Sequence, residues 1–65
     1  TSNDEKKAEI LFNTAMIYLE NDDFDSALSD LKKAYKYTSN GGVKFVIEKR
    51  IISLESRRKG RQDSN

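Results

Sequence analysis

Two clusters of charged residues are the parts of this sequence that could do chemistry. The first is the acidic run Glu20, Asp22, Asp23 and Asp25. Carboxylates this close together can bind a divalent cation through oxygen, or share a proton as an acid–base pair. The second is RRKGR, residues 57 to 61, whose cations suit phosphates, acidic lipid or an acidic protein surface.

The rest of the composition withholds what such chemistry needs. There is no histidine and no cysteine, so imidazole and thiolate ligands are absent. The same gap removes the bases and nucleophiles that work near neutral pH. The acidic run lacks the ligand spacing and central glycine of a calcium-binding loop. Asp22 and Asp25 stand where a helix would begin, and capping and the helix dipole account for them. Gly41-Gly42 lacks the lysine and hydroxyl of a phosphate-binding loop. The basic run carries no interleaved aromatic residues after Phe45, which argues against single-stranded nucleic acid. The chain is therefore read as a non-enzyme with no cofactor and no metal.

The 65 residues allow one small domain. A chain of this size buries only roughly 60% of the surface its unfolded form exposes, so its stability is marginal. No stretch approaches the roughly 20 apolar residues needed to span a bilayer. The opening TSNDEKK is too polar for a signal peptide. A soluble, cytoplasmic protein is expected, and the start at Thr1 favours a piece cut from a longer chain. The net charge of +1 hides a strong polarity. Residues 1 to 30 hold eight acids and two bases, net −6, and residues 31 to 65 hold ten bases and three acids, net +7.

Three helices must position these groups. Helix A is expected from about Asp4, opened by Ser2 and Glu5 at the spacing of a capping box. Ala8, Leu11, Phe12, Ala15, Tyr18 and Leu19 recur at three- and four-residue steps and make its apolar face. The helix should stop near Glu20 or Asn21. Asp22 or Asp23 then caps helix B, whose face is Phe24, Ala27, Leu28, Leu31, Ala34 and Tyr35. With about three linking residues the two helices run antiparallel. TSNGG, residues 38 to 42, is the clearest break, and a left-handed Gly41 or Gly42 is expected to close helix B. Helix C should run from Val43 to Arg58 on a stripe of Val43, Val46, Ile47, Ile51 and Leu54. The fold class is all-α, a helical hairpin plus a third helix. One domain over residues 1–59 is expected, with a disordered tail over 60–65.

Ile10 and Ile17, and Phe45 and Ile52, lie seven apart and off the main stripes. They belong either to a wide core or to an exposed apolar patch that another protein covers.

The hairpin resembles a tetratricopeptide repeat, a 34-residue helix-turn-helix with small residues where the helices cross. Ala8 to Gly41 spans one repeat. Leu11 falls on its large first-helix position, Ala15 on the small one and Tyr18 on the tyrosine. Ala27, Leu31 and Ala34 follow in the second helix, with Phe24 three residues before Ala27. Thr14, Asp22 and Ser39 depart from the pattern, and Lys49 ends it, so helix C resembles a closing helix. A second resemblance is to the microtubule-interacting and trafficking domain, carried by Arg50, Ile51, Leu54 and Arg57. That resemblance implies capture of a partner's helix in a groove. Both imply binding of another protein or peptide, with a homo-oligomer as one form of it. The implied contact residues are Glu9, Phe12, Asn13, Met16, Glu20, Phe45 and Ile52. Asn13 matches repeats that clamp a peptide carboxylate, although Glu9 stands where that clamp has a basic residue. Lys49, Arg50, Arg57 and Arg58 form the candidate basic ridge, the basis of an alternative RNA-binding module.

Overall fold

The computed structural model describes the backbone of residues 2–63 and the side chains of residues 3–57. It holds three helices, α1 (Ser2–Glu20), α2 (Phe24–Tyr37) and α3 (Gly41–Asp63). Among the described residues there is no strand. Helix α2 lies against both α1 and α3, whereas α1 and α3 barely meet.

The α1–α2 turn is set by local hydrogen bonding. The Asp22 amide donates to Leu19 O at 3.1 Å, and the Asp23 amide to Tyr18 O at 2.9 Å. This pair of bonds closes a helix on a left-handed residue, a position where glycine is usual. Asp22 fills it with φ 60°, a region that aspartate tolerates better than most side chains. Asp23 then opens α2, its side chain accepting from the Ser26 amide at 3.2 Å. One dipeptide thus ends α1 and starts α2, which forces the antiparallel hairpin.

Small residues mark where the helices meet. Ala15, Ala27 and Ala34 are fully buried, as are Leu31 and Ile47. Ala8, Leu28 and Leu54 complete the core. Methyl-sized side chains let the helix backbones approach closely, and Leu31 and Ile47 fill the space beside them. Leu11, Phe12, Met16, Tyr18, Leu19, Phe24 and Ile51 pack against this cluster while half exposed.

The second junction differs from the expectation. Neither Gly41 nor Gly42 is left-handed. Helix α2 ends instead on Thr38, in extended conformation (φ −81°, ψ 140°), with its amide on Ala34 O at 3.0 Å. The two glycines form the first turn of α3. Asn40 caps that turn, its Oδ1 accepting from the amides of Gly42 at 2.9 Å and Val43 at 3.2 Å. Helix α3 also runs to Asp63, beyond the expected end at Arg58. Only Ser64 and Asn65 of the expected 60–65 tail lie outside the described residues.

A second correction concerns Glu5. It does not serve a capping box with Ser2, which lies within α1 and whose side chain is outside the described residues. The Glu5 carboxylate reaches across to the α2–α3 junction. There Oε2 accepts from Thr38 Oγ1 at 2.9 Å, and Oε1 accepts from the Ser39 amide at 2.7 Å and Ser39 Oγ at 2.8 Å. Thr38 is buried, and this clasp supplies the acceptor its hydroxyl needs.

Candidate functional site

Because α1 and α3 both lean on α2 and barely meet each other, a groove opens between them. Its volume is about 610 Å³. Ala8, Glu9 and Phe12 form the α1 wall and Val43 and Val46 the α3 wall; Thr38 and Asn40 close one end. Helical spacing explains the two walls. Glu5, Ala8, Glu9 and Phe12 recur one turn apart on α1, and Gly42, Val43 and Val46 do so on α3. The α3 valines belong to the expected core stripe, yet Val43 is 38% and Val46 45% exposed. No third wall covers them.

The groove has chemical polarity. At the junction end, the Ser39 amide, then the Ser39 and Thr38 hydroxyls, hold the Glu5 carboxyl below its ordinary value. Glu5 therefore stays ionised there, with exposed Glu9 one turn further on. On the α3 side the Arg50 guanidinium lies over the Phe12 ring, 5.8 Å from its centroid. The groove is thus apolar along its floor, with acid near the junction and a guanidinium further along.

The expected contact residues fall in different places. Glu9 and Phe12 line the groove. Met16 packs half-buried one turn beyond Phe12. Asn13 and Glu20 are exposed on α1 and do not line the groove. Phe45 and Ile52 are exposed on the far side of α3. The basic ridge is divided. Lys49 and Arg57 share a shallow hollow with Ile52, Ser53 and Ser56, and Lys49 sits over the Phe45 ring at 5.1 Å. Arg50 turns to Phe12 instead, and the Arg58 side chain lies outside the described residues. Val43, Val46 and Asn40 were not anticipated as groove residues. The two valines sat on the apolar stripe, and nothing in their spacing distinguishes a covered position from an open one.

No family model matches the chain, and no curated protein or solved structure is significantly similar to it. Among the described residues, no cluster of three carboxylates is placed to hold a metal ion. No helix among them is long and apolar enough to cross a membrane.

The outer faces of α1 and α3 carry further exposed apolar residues. Ile10 and Ile17 are 60% and 56% exposed, Phe45 and Ile52 58% and 59%. The wide-core reading of these four is thereby overturned. Each pair sits two positions from buried residues of its own helix: Ala8 and Ala15 on α1, Ile47 and Leu54 on α3. Two residues are about 200° around a helix, so both stripes lie opposite the buried positions and outside the shared groove. Ile10 also borders a shallow hollow with Lys7 and Leu11 of α1 and Lys33 and Tyr37 of α2.

Proposed function

We propose that the chain is a protein-interaction module of the tetratricopeptide kind that binds another polypeptide in the α1–α3 groove. The observation that carries this reading is the open apolar groove, with Val43 and Val46 left uncovered beside Phe12. Helical grooves of this shape take an extended or helical segment whose apolar side chains fill the floor. The ionised Glu5 and Glu9 suit a basic residue at the junction end, and Arg50 an acidic one beyond Phe12. Catalysis has no part in the proposal, and a cytoplasmic setting belongs to it.

The test is a displayed peptide library selected on the folded chain, followed by fluorescence polarisation of the enriched peptides. Enriched sequences should carry aliphatic or aromatic anchors. Their affinity should fall at least about tenfold, the equivalent of 1.4 kcal/mol, when the groove is charged by V43D/V46D. Failure to enrich any peptide, or equal affinity for the variant, refutes the proposal.

A further inference from the structure

Helices α1 and α3 point the same way. Lys7, near the start of α1, stands over the Tyr37 ring at the end of α2, 5.5 Å from its centroid. Lys44, near the start of α3, stands over Tyr35 at the same distance. Further along α3, Glu55 reaches back to Lys32, nearer the start of α2, at 3.4 Å. Both helices therefore run antiparallel to α2 and parallel to each other. The groove between them has two unlike ends. Glu5 and Glu9 are the charged residues that line it, and they stand toward the end where both helices start. The Arg50 guanidinium, over the Phe12 ring, stands further along. Lys49 and Arg57 belong to the hollow beside Ile52 rather than to the groove, and Glu20 lies two turns past Phe12, beyond its lining.

We infer that the groove takes an amphipathic helix of another protein, laid antiparallel to α1 and α3, with an acidic residue toward its N-terminus and a basic residue two turns later. The inference rests on the groove reading above and adds the occupant's backbone form, its direction and its charge pattern.

Spacing selects a helix over an extended segment. Both walls repeat at one-turn steps, Glu5, Glu9 and Phe12 on α1 and Val43, Val46 and Arg50 on α3. A turn rises about 5.4 Å, so a helix laid between the walls keeps step with both. Same-face side chains of an extended chain repeat at about 6.6–6.8 Å and drift out of step.

Charge and dipoles select the direction. A base opposite Glu5 and Glu9 and an acid opposite Arg50 fix which end of the occupant lies where. In a helix antiparallel to the walls, the acid falls toward the N-terminus and the base toward the C-terminus, where the helix's own dipole favours each. The walls agree, because both put their positive ends at the junction, where the occupant's negative end would lie. A helix parallel to the walls would carry each charge at the end its own dipole disfavours. Glu5 and Phe12 are seven residues apart, about 10.5 Å along α1. The occupant is therefore expected to carry an acid at i, apolar residues at i+3 and i+4, and a base at i+7.

The test uses the whole chain and a library of alanine-rich peptides of about 16 residues, long enough to form a lone helix. Their ends are blocked to remove terminal charge, and about two central turns are randomised. Enriched sequences should place Asp or Glu seven residues before Lys or Arg, with aliphatic residues between. A nitroxide at the acidic end of the tightest peptide should broaden the amide resonances of Met16 and Arg50. One at the basic end should broaden those of Glu9 and Gly42. The chain has no cysteine, so the label sits on the peptide alone. E9K should weaken binding about twofold to fivefold, as expected of an exposed charge pair. Exchanging the peptide's base for Glu should restore the affinity for that variant. A proline in the middle of the peptide should abolish binding.

The opposite broadening pattern overturns the inference, as does enrichment without the acid-to-base order. An unchanged affinity for E9K or for the proline peptide overturns it too. Each of these results leaves binding that is sensitive to V43D/V46D, and with it the groove reading, in place. Failure of every peptide to bind overturns both.

Discussion

Thr38 Oγ1 donates a 2.9 Å hydrogen bond to the carboxylate of Glu5, 33 residues earlier in the chain. This contact ties the start of α1 to the point where α2 gives way to α3. It also forms the closed end of the groove. With α1 and α3 otherwise barely in contact, Glu5 is a principal fixed point of the groove's geometry.

The clasp makes stability depend on pH. Bonds from the Ser39 amide, then the Ser39 and Thr38 hydroxyls, lower the folded-state value of Glu5 below 4.5. A carboxyl depressed in the folded state contributes stability above its unfolded value, and that contribution is lost as pH falls through the folded value. The urea midpoint of the wild type should therefore exceed that of E5Q at pH 7. The gap should shrink as pH drops below 4.5. A gap of equal size at pH 7 and pH 3 would contradict the clasp.

The helix crossing makes a steric prediction. Ala27 is fully buried where α2 meets its neighbours, so A27L should overpack it and cost about 1–3 kcal/mol. L31A removes a fully buried side chain and should cost about 2–5 kcal/mol, enough to unfold much of a domain this small. I52S, at a side chain 59% exposed, should stay within about 0.5 kcal/mol of the wild type. Chemical denaturation of the three variants gives the comparison.

Asp22 carries backbone strain that glycine would relieve. A side chain in the left-handed region costs roughly 1–2 kcal/mol, and glycine returns part of that gain through its greater freedom when unfolded. D22G should raise the stability by up to about 1 kcal/mol, and D22V should lower it by about 1–2 kcal/mol, since a β-branched side chain fits this region worst. Thermal melts that rank the three in any other order would contradict the φ of 60° found at this residue.

Gly41 predicts the opposite of what a left-handed closing glycine would. It sits in the first turn of α3 without positive φ, and a Cβ added there meets nothing within 4 Å. G41A should stabilise the chain by about 0.4–1 kcal/mol by restricting the unfolded state. At Gly42 the added Cβ would lie 3.3 Å from Asn40 Oδ1, the capping atom, so G42A should gain less than G41A. Denaturation midpoints of the two variants settle the order.

These residues also show what the sequence could and could not reveal. The hairpin was legible because its signals are local: apolar residues at three- and four-residue steps, an aspartate cap, and alanines where backbones must approach. All of Ala15, Ala27 and Ala34 are buried as that spacing requires. The role of Glu5 was not legible, because a capping box with Ser2 satisfies the local pattern equally well and the true partners lie 33 and 34 residues away. Glycines 41 and 42 were ambiguous for a related reason. Glycine serves a helix end and a helix start alike, and the choice rests on the side chain of Asn40. Val43 and Val46 share a stripe with Ile47 and Leu54, but only the latter two are buried. That difference depends on how far α1 stands from α3, which periodicity within α3 does not encode.

On the proposed reading, another polypeptide binds in the gap between α1 and α3. Amide resonances of the isotopically labelled chain, followed while a library-selected peptide is added, give the decisive test. Shifts concentrated at Ala8, Glu9, Phe12, Val43 and Val46, and absent in V43D/V46D, are the expected result. Shifts confined to the exposed face of α2, or scattered without regard to the groove, would contradict it.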